Sequence, residues 1–132
     1  MDVLQLRARL GEADIDRLVA EFYQRVRADP LLAPVFAARI ADDAWPAHLQ
    51  RIAGFWVTIL LGVRRYLGDP MQPHAGLTTL GADAAELDRW LALWREVALQ
   101  TLGAEVGEAV AHRAELMRTA ILSAMRRPAA AS

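Results

Sequence analysis

Two of the three histidines stand where an imidazole could do chemistry. His48 sits inside the apolar series Trp45, His48, Leu49, Ile52, Phe55, Trp56, Ile59, Leu60, spaced at threes and fours. At about 100° per residue, Ile52, Phe55 and Ile59 all point within about 40° of His48, so His48 faces whatever that helix buries. His74 follows Gly68-Asp69-Pro70 and directly succeeds Pro73, which places it on a different, short element. Two imidazoles approaching one cavity from different elements, in a chain without cysteine, point to a bound metal centre. The tryptophans, phenylalanines and tyrosine around them point to a large flat one.

Taken singly, each imidazole has a plain structural role open to it. His48 could be a core histidine bonded to a backbone carbonyl, and His74 a loop histidine closing a turn. Zinc is the obvious competitor for the pair. The chain has no HxxxH, no HExxH and no cysteine, and its carboxylates fall mostly on polar faces. It also lacks GxGxxG, a P-loop and GxSxG, the motifs of a nucleotide or flavin site or a serine nucleophile. Haem fits better. Its iron needs one strong axial ligand and otherwise a dry slot lined by aromatic and aliphatic groups. His74, stiffened by Pro70 and Pro73, suits the axial position, with His48 across the plane. Tyr23 and Trp90 are further buried polar tips, each an apolar body with one donor that needs a partner in a core, although ordinary core filling is open to both.

The elements that must position these residues read as helices. A first helix follows Asp14, a plausible N-cap, and carries Ile15, Leu18, Val19, Phe22, Tyr23 and Val26 to Asp29-Pro30. Leu31 to Phe36 reads as a short helical turn holding Pro34. Asp42 or Asp43 caps the His48 helix, Pro46 is tolerated in its first turn, and the helix ends near Gly62. Residues 63–81 carry no periodicity, and a connection that long is usually functional. Asp83 and Glu86 form a capping box for a helix with Leu87, Trp90, Leu91, Trp94, Val97 and Ala98, ending at Gly103. A last helix carries Val106, Val110, Ala114, Met117, Ile121 and Met125, with Arg126-Arg127 at its negative end. His112 lies about 160° from both Val110 and Ala114 and is expected to face solvent. Two long antiparallel helices joined at Gly103-Ala104 then pack on the other two as a layered sandwich.

Length bounds the rest. The 132 residues predict a single domain, 1–132, with its core at about 14–125 and a disordered tail at 126–132. Hydrophobic residues make up 55% and charged residues 23%, a soluble globular composition. The net charge of −1, from 15 basic and 16 acidic residues spread along the chain, gives no footprint for nucleic acid or an anionic membrane. The longest apolar run, residues 52–61, is too short to span a bilayer, which needs about 20 residues. No signal peptide is visible and no cysteine is present, so a cytoplasmic protein is expected.

The order and spacing of several short segments carry a resemblance. They are Phe22-Tyr23, Asp29-Pro30-Leu31-Leu32-Ala33-Pro34-Val35-Phe36, Trp45-Pro46-Ala47-His48, Phe55-Trp56, Leu60-Leu61-Gly62, Arg65-Tyr66-Leu67-Gly68, Pro70-Met71-Gln72-Pro73-His74 and Arg89-Trp90-Leu91-Ala92-Leu93-Trp94. Over about residues 14–125 the chain resembles the truncated haemoglobins, and within them group III. The resemblance implies an all-α, globin-like fold, a truncated 2-over-2 helical sandwich around haem b (iron protoporphyrin IX). It makes His74 the proximal iron ligand and Phe36 the aromatic on the haem face. Tyr23, His48 and Trp90 would line the distal side. Arg51 would meet a propionate, with Arg65 and Tyr66 as weaker candidates. Ile52, Phe55, Met71 and Trp94 complete the expected haem contacts. Glu86-Leu87 stands where the family often has a His-Phe pair.

A haem protein binding oxygen or another diatomic ligand is therefore expected, as a monomer. Two distal donors favour slow release, which suits sensing, scavenging or redox chemistry over bulk transport. The alternatives are a haem-dependent enzyme, detoxifying nitric oxide or acting as a peroxidase with an external reductase, and a haem-free helical interaction module. No catalytic residue is assigned.

Overall fold

The computed structural model describes residues 1–66 and 68–128. Seven α-helices run in the order α1 (Val3–Arg9), α2 (Glu12–Ala28), α3 (Ala33–Arg39), α4 (Trp45–Leu61), α5 (Ala84–Leu102), α6 (Ala104–Glu115) and α7 (Arg118–Met125), and no strand occurs among the described residues. Short 3₁₀ turns lie at Asp42–Ala44, Gln72–His74 and Leu77–Leu80. Helix α5 packs most extensively on α6, and α2 packs on both α4 and α5, giving two antiparallel helix pairs laid over each other.

The core is where the apolar stripes meet. Phe22, Trp56 and Trp94 are its largest fully buried side chains. The Trp56 and Trp94 rings stack at 4.7 Å, and Phe22 meets Trp94 edge to face at 4.9 Å. Each such ring contributes about 2–3 kcal/mol by leaving water.

The ends of α4 and α5 follow local chemistry. Pro46 lies in the first turn of α4, and Gly62 ends it at φ +71°, a left-handed conformation that a side chain resists. Arg7 Nε donates to the Leu60 carbonyl there, at 3.1 Å. At α5, Glu86 Oε2 accepts the Asp83 N–H at 3.0 Å.

Four boundaries differ from expectation. The first long helix starts at Glu12, and Asp14 sits in its first turn, its Oδ2 accepting the Gly11 N–H at 2.9 Å. Helix α1 precedes it and buries Leu6 and Leu10, so the core begins before residue 14. Its seven residues are too few to show a clear period. The last helix is broken at Leu116-Met117, where Met117 N–H bonds the Ala114 carbonyl at 3.0 Å in a tightened turn. The chain stays held past 125: Arg126 pairs with Asp83 at 2.8 Å, and the Arg127 carbonyl accepts the Gly76 N–H at 2.8 Å. Of the expected tail, residues 129–132 lie outside the described residues, as does Leu67.

Candidate functional site

A cavity of about 410 Å³ opens between the two helix layers, within the usual range for a ligand site. Tyr23 reaches it from α2, Phe36 and Arg39 from α3, and His48, Arg51, Ile52 and Phe55 from α4. Met71 and His74 approach from the segment after α4, and Glu86, Leu87 and Trp90 from α5. Met117, Ile121 and Met125 close it from the broken last helix.

The His74 segment is held from several sides. Its backbone N–H bonds the Met71 carbonyl at 3.1 Å, and Met71 N–H bonds Asp69 Oδ1 at 2.9 Å. Arg39 donates to the Ala75 carbonyl, and Thr78 Oγ1 donates to the Met125 carbonyl at 2.9 Å. Burial pushes the His74 imidazole below its ordinary range; the Pro70 and Met71 carbonyls oppose this and Arg39 adds to it. The His74 Nδ1 is buried and has no hydrogen-bond partner.

Across the cavity, His48 Nε2 is also buried without a hydrogen bond. Burial, helped by Arg51, pushes His48 down to about 4, so it is neutral at pH 7. Tyr23 is only 3% exposed. Burial pushes its hydroxyl well above the usual tyrosine range, and the facing Trp90 indole acts in the opposite direction. An indole N–H can only donate, so in any hydrogen bond between the two Trp90 is the donor and the Tyr23 proton stays free.

This site sits in a recognisable family. The profile of the Bacterial-like globin family matches residues 9–123. The chain is 30% identical over 110 residues to the Group 3 truncated hemoglobin ctb of Campylobacter jejuni, covering 82% of this chain and 85% of that one. The chain belongs to the truncated haemoglobins, group III. Its fold matches the crystal structure of the group III truncated hemoglobin from Campylobacter jejuni with a TM-score of 0.75, at 28% identity, over 86% of this chain and 90% of the other. A Group 1 truncated hemoglobin, GlbN of Nostoc commune, is 30% identical over 86% of this chain and 92% of its own. The family supports haem-based binding of a small ligand.

The residues of this truncated haemoglobin fit that cofactor. His48 and His74, from different elements, line one mostly apolar cavity, and each has a buried ring nitrogen without a hydrogen-bond partner, a setting that fits a flat metal centre with an axial ligand. Arg39 and Arg51 also line the cavity and would supply cations for carboxylates there. Among the described residues, no helix is long and apolar enough to cross a membrane.

Two expected contacts fall elsewhere in this truncated haemoglobin. Arg65 does not line the cavity. Its guanidinium pairs with Glu12 and Asp16, each at 3.3 Å, on the outer side of α2. Its backbone N–H is anchored on Thr58 Oγ1 at 3.0 Å, and Gly54 leaves room for its side chain to cross α4. Trp94 is fully buried one layer behind the wall, parallel to Trp90 within 2° at 6.1 Å. It supports the lining without reaching it. Tyr66 does line the cavity, its hydroxyl 3.4 Å from the Asp69 carbonyl.

Several lining residues had no assigned role. Ile121 and Met125, four apart on one face, were legible as buried and nothing more. Arg39 and Glu86 carried no sequence signal of a cavity position, because their direction depends on how α3 and α5 are set against α4.

Proposed function

We propose that this chain holds haem b between α4 and the His74 segment, with His74 on the iron, and binds oxygen or another diatomic ligand on the Tyr23 side. The observation that supports this reading is that two histidines from different elements, His48 and His74, line one mostly apolar cavity, each with a buried ring nitrogen that has no hydrogen-bond partner. When bound, the haem supplies an iron with one axial position open to a small ligand.

The residues divide the work. His74 is kept neutral by burial and is oriented by a segment tied to α3 and α7, so its nitrogen is available as a donor. Phe36, Ile52, Phe55 and Met71 exclude water. Arg39 and Arg51 are placed to meet carboxylates at the cavity edge. Tyr23 holds a proton for a ligand that carries partial negative charge, and Trp90 polarises Tyr23 in turn. A donor in a dry site favours retention, which suits sensing, scavenging or redox chemistry over bulk transport. A redox cycle would draw electrons from an external reductase.

The same reading takes the chain as a single-domain cytoplasmic monomer.

The test is titration of haem into haem-free protein. We expect a Soret band that saturates at one haem per chain, and a reversible spectral change with oxygen after reduction. Absence of a saturable Soret band would sink the reading and leave a haem-free helical module.

A further inference from the structure

Asp29 is the most deeply buried charged residue among those described, at 7% exposure. It caps the C-terminal end of α2, six residues beyond Tyr23. Its Oδ2 accepts the backbone N–H groups of Leu31 and Leu32, both at 3.1 Å, at the entrance to α3. Its Oδ1 accepts Nε and Nη2 of Arg89, at 2.9 and 2.7 Å. One carboxylate thus gathers α2, α3 and α5, the elements that carry Tyr23, Phe36 and Trp90 to the cavity.

Arg89 directly precedes Trp90 on α5. The Trp90 ring meets Phe22 edge to face at 5.3 Å, and Tyr23 meets the same Phe22 ring at 4.9 Å. The orientation of Trp90 toward Tyr23 therefore depends on how α5 is rotated against α2. We propose that the Asp29–Arg89 ion pair is the positioning element of the distal site, holding α5 in the rotation that aims the Trp90 indole at Tyr23. This rests on the reading of Tyr23 and Trp90 as ligand donors.

A tie for stability alone would not need this chemistry. Desolvating the Asp29 carboxylate is a cost that a surface pair would avoid, and only the Arg89 side of the pair stays open, at 44% exposure. A guanidinium held by two N–H groups on one carboxylate sets angle as well as distance. The other charged tie from α2 to α5, Arg25–Glu96 at 3.1 Å, has both side chains nearly half exposed, whereas in the Asp29 pair the carboxylate is buried and only Arg89 is open. Asp88–Arg118 and Asp83–Arg126 tie α5 to α7, also at the surface. The Asp29 pair is the one whose carboxylate is also held by two backbone N–H groups, and it lies at the cavity end of α5.

The experiment uses haem-loaded protein carrying Asp29→Asn or Arg89→Lys, with Asp88→Asn as the control that cuts an exposed pair on the same turn of α5. Two quantities are read: the indole N–H resonance of Trp90, assigned by its loss in Trp90→Phe, and oxygen release relative to carbon monoxide release. We expect both Asp29→Asn and Arg89→Lys to move the Trp90 resonance. Each should speed oxygen release about fivefold, part of what full deletion of a donor costs, with little effect on carbon monoxide. Asp88→Asn should leave both at the parent value. Arg89→Lys keeps the charge and loses only the fork, so it tests geometry even if Asp29→Asn does not fold. A variant that melts earlier while keeping the parent resonance and the parent oxygen-to-carbon-monoxide ratio would show a structural strut and overturn the proposal. Parent oxygen release in Trp90→Phe itself would instead reject the donor reading, so the two failures are distinguishable.

Discussion

The rings of Tyr23 and His48 meet edge to face, 5.6 Å apart at 84°, joining α2 to α4 across the cavity wall. Trp45 meets His48 at 5.3 Å and 89° and lies 5.7 Å from Tyr23, so the three rings form one cluster. His48 is packed on that cluster, with its Nε2 buried and unpaired. Tyr23 and His48 both line the cavity.

Removing the Tyr23 hydroxyl should speed oxygen release about tenfold, because a hydrogen bond to a charged partner contributes about 1.5–3 kcal/mol and 1.4 kcal/mol is a factor of ten. Carbon monoxide, less polar when bound, should respond far less. Trp90→Phe should act in the same direction, but the double mutant should fall short of the product, since Trp90 works partly through Tyr23. Stopped-flow release rates of Tyr23→Phe, Trp90→Phe and the double mutant check this. Parent rates in both single mutants would mean that the polar distal pocket does not exist.

His48→Leu should retain haem and change ligand association more than haem content. The imidazole is neutral and packed against the Tyr23 and Trp45 rings, so its loss alters packing there without touching the His74 segment. Flash photolysis with carbon monoxide, beside the Soret absorbance per chain, separates the two. Loss of haem as severe as for a His74 variant would overturn this division of labour.

His74→Ala should cost haem retention, or leave a site that added imidazole refills. His112→Ala should do neither, since His112 is exposed on α6. Absorption spectra with and without imidazole decide it, and an unchanged spectrum in His74→Ala would refute the axial assignment.

Gly107 is where α6 touches α5 most closely. A Cβ there would lie 2.6 Å from the Ala98 carbonyl oxygen and 2.7 Å from the Leu99 Cα, backbone atoms that cannot step aside. Gly107→Ala should cost about 1–3 kcal/mol by forcing the helices apart. Urea unfolding of the haem-free protein measures it, and a midpoint equal to the parent's would contradict the close crossing.

Acid should act through Asp29. The Arg89 hydrogen bonds hold its carboxyl below the ordinary range, burial opposing, with the Leu32 and Leu31 N–H groups helping. A carboxyl lowered on folding contributes stability that is present above its unfolded value of about 3.9 and is lost as pH falls through the folded value. Asp29→Asn should therefore be less stable at pH 7 and lose less on acidification below about pH 4. Parallel stability profiles for the two proteins would remove Asp29 from the acid response.

Much of this was legible before folding. The period of threes and fours placed Tyr23, His48, Phe55 and Trp56 on buried helix faces, because each helix repeats its own geometry every turn. Gly62, Gly103 and the Asp83–Glu86 pair marked helix ends through chemistry acting over a few residues. The break at Leu116-Met117 had no such marker, since neither glycine nor proline stands there; it lets Ile121 and Met125 reach the cavity.

What the chain alone determined was which face of each helix is buried, and which residue types are available to meet a flat apolar cofactor and its iron. Tertiary structure alone decided which buried face looks into the cavity and which into the solid core. Trp90 and Trp94 share a face of α5, four residues apart, yet one lines the cavity and the other packs behind it against Trp56. Arg51 and Arg65 are both arginines near α4, yet only Arg51 reaches the lining, because Glu12 and Asp16 of α2 draw Arg65 outward. The physical reason is range: helical period and caps act within a few residues, whereas the cavity is bounded by groups up to about a hundred positions apart, from Tyr23 to Met125, whose meeting depends on the packing of every helix between them.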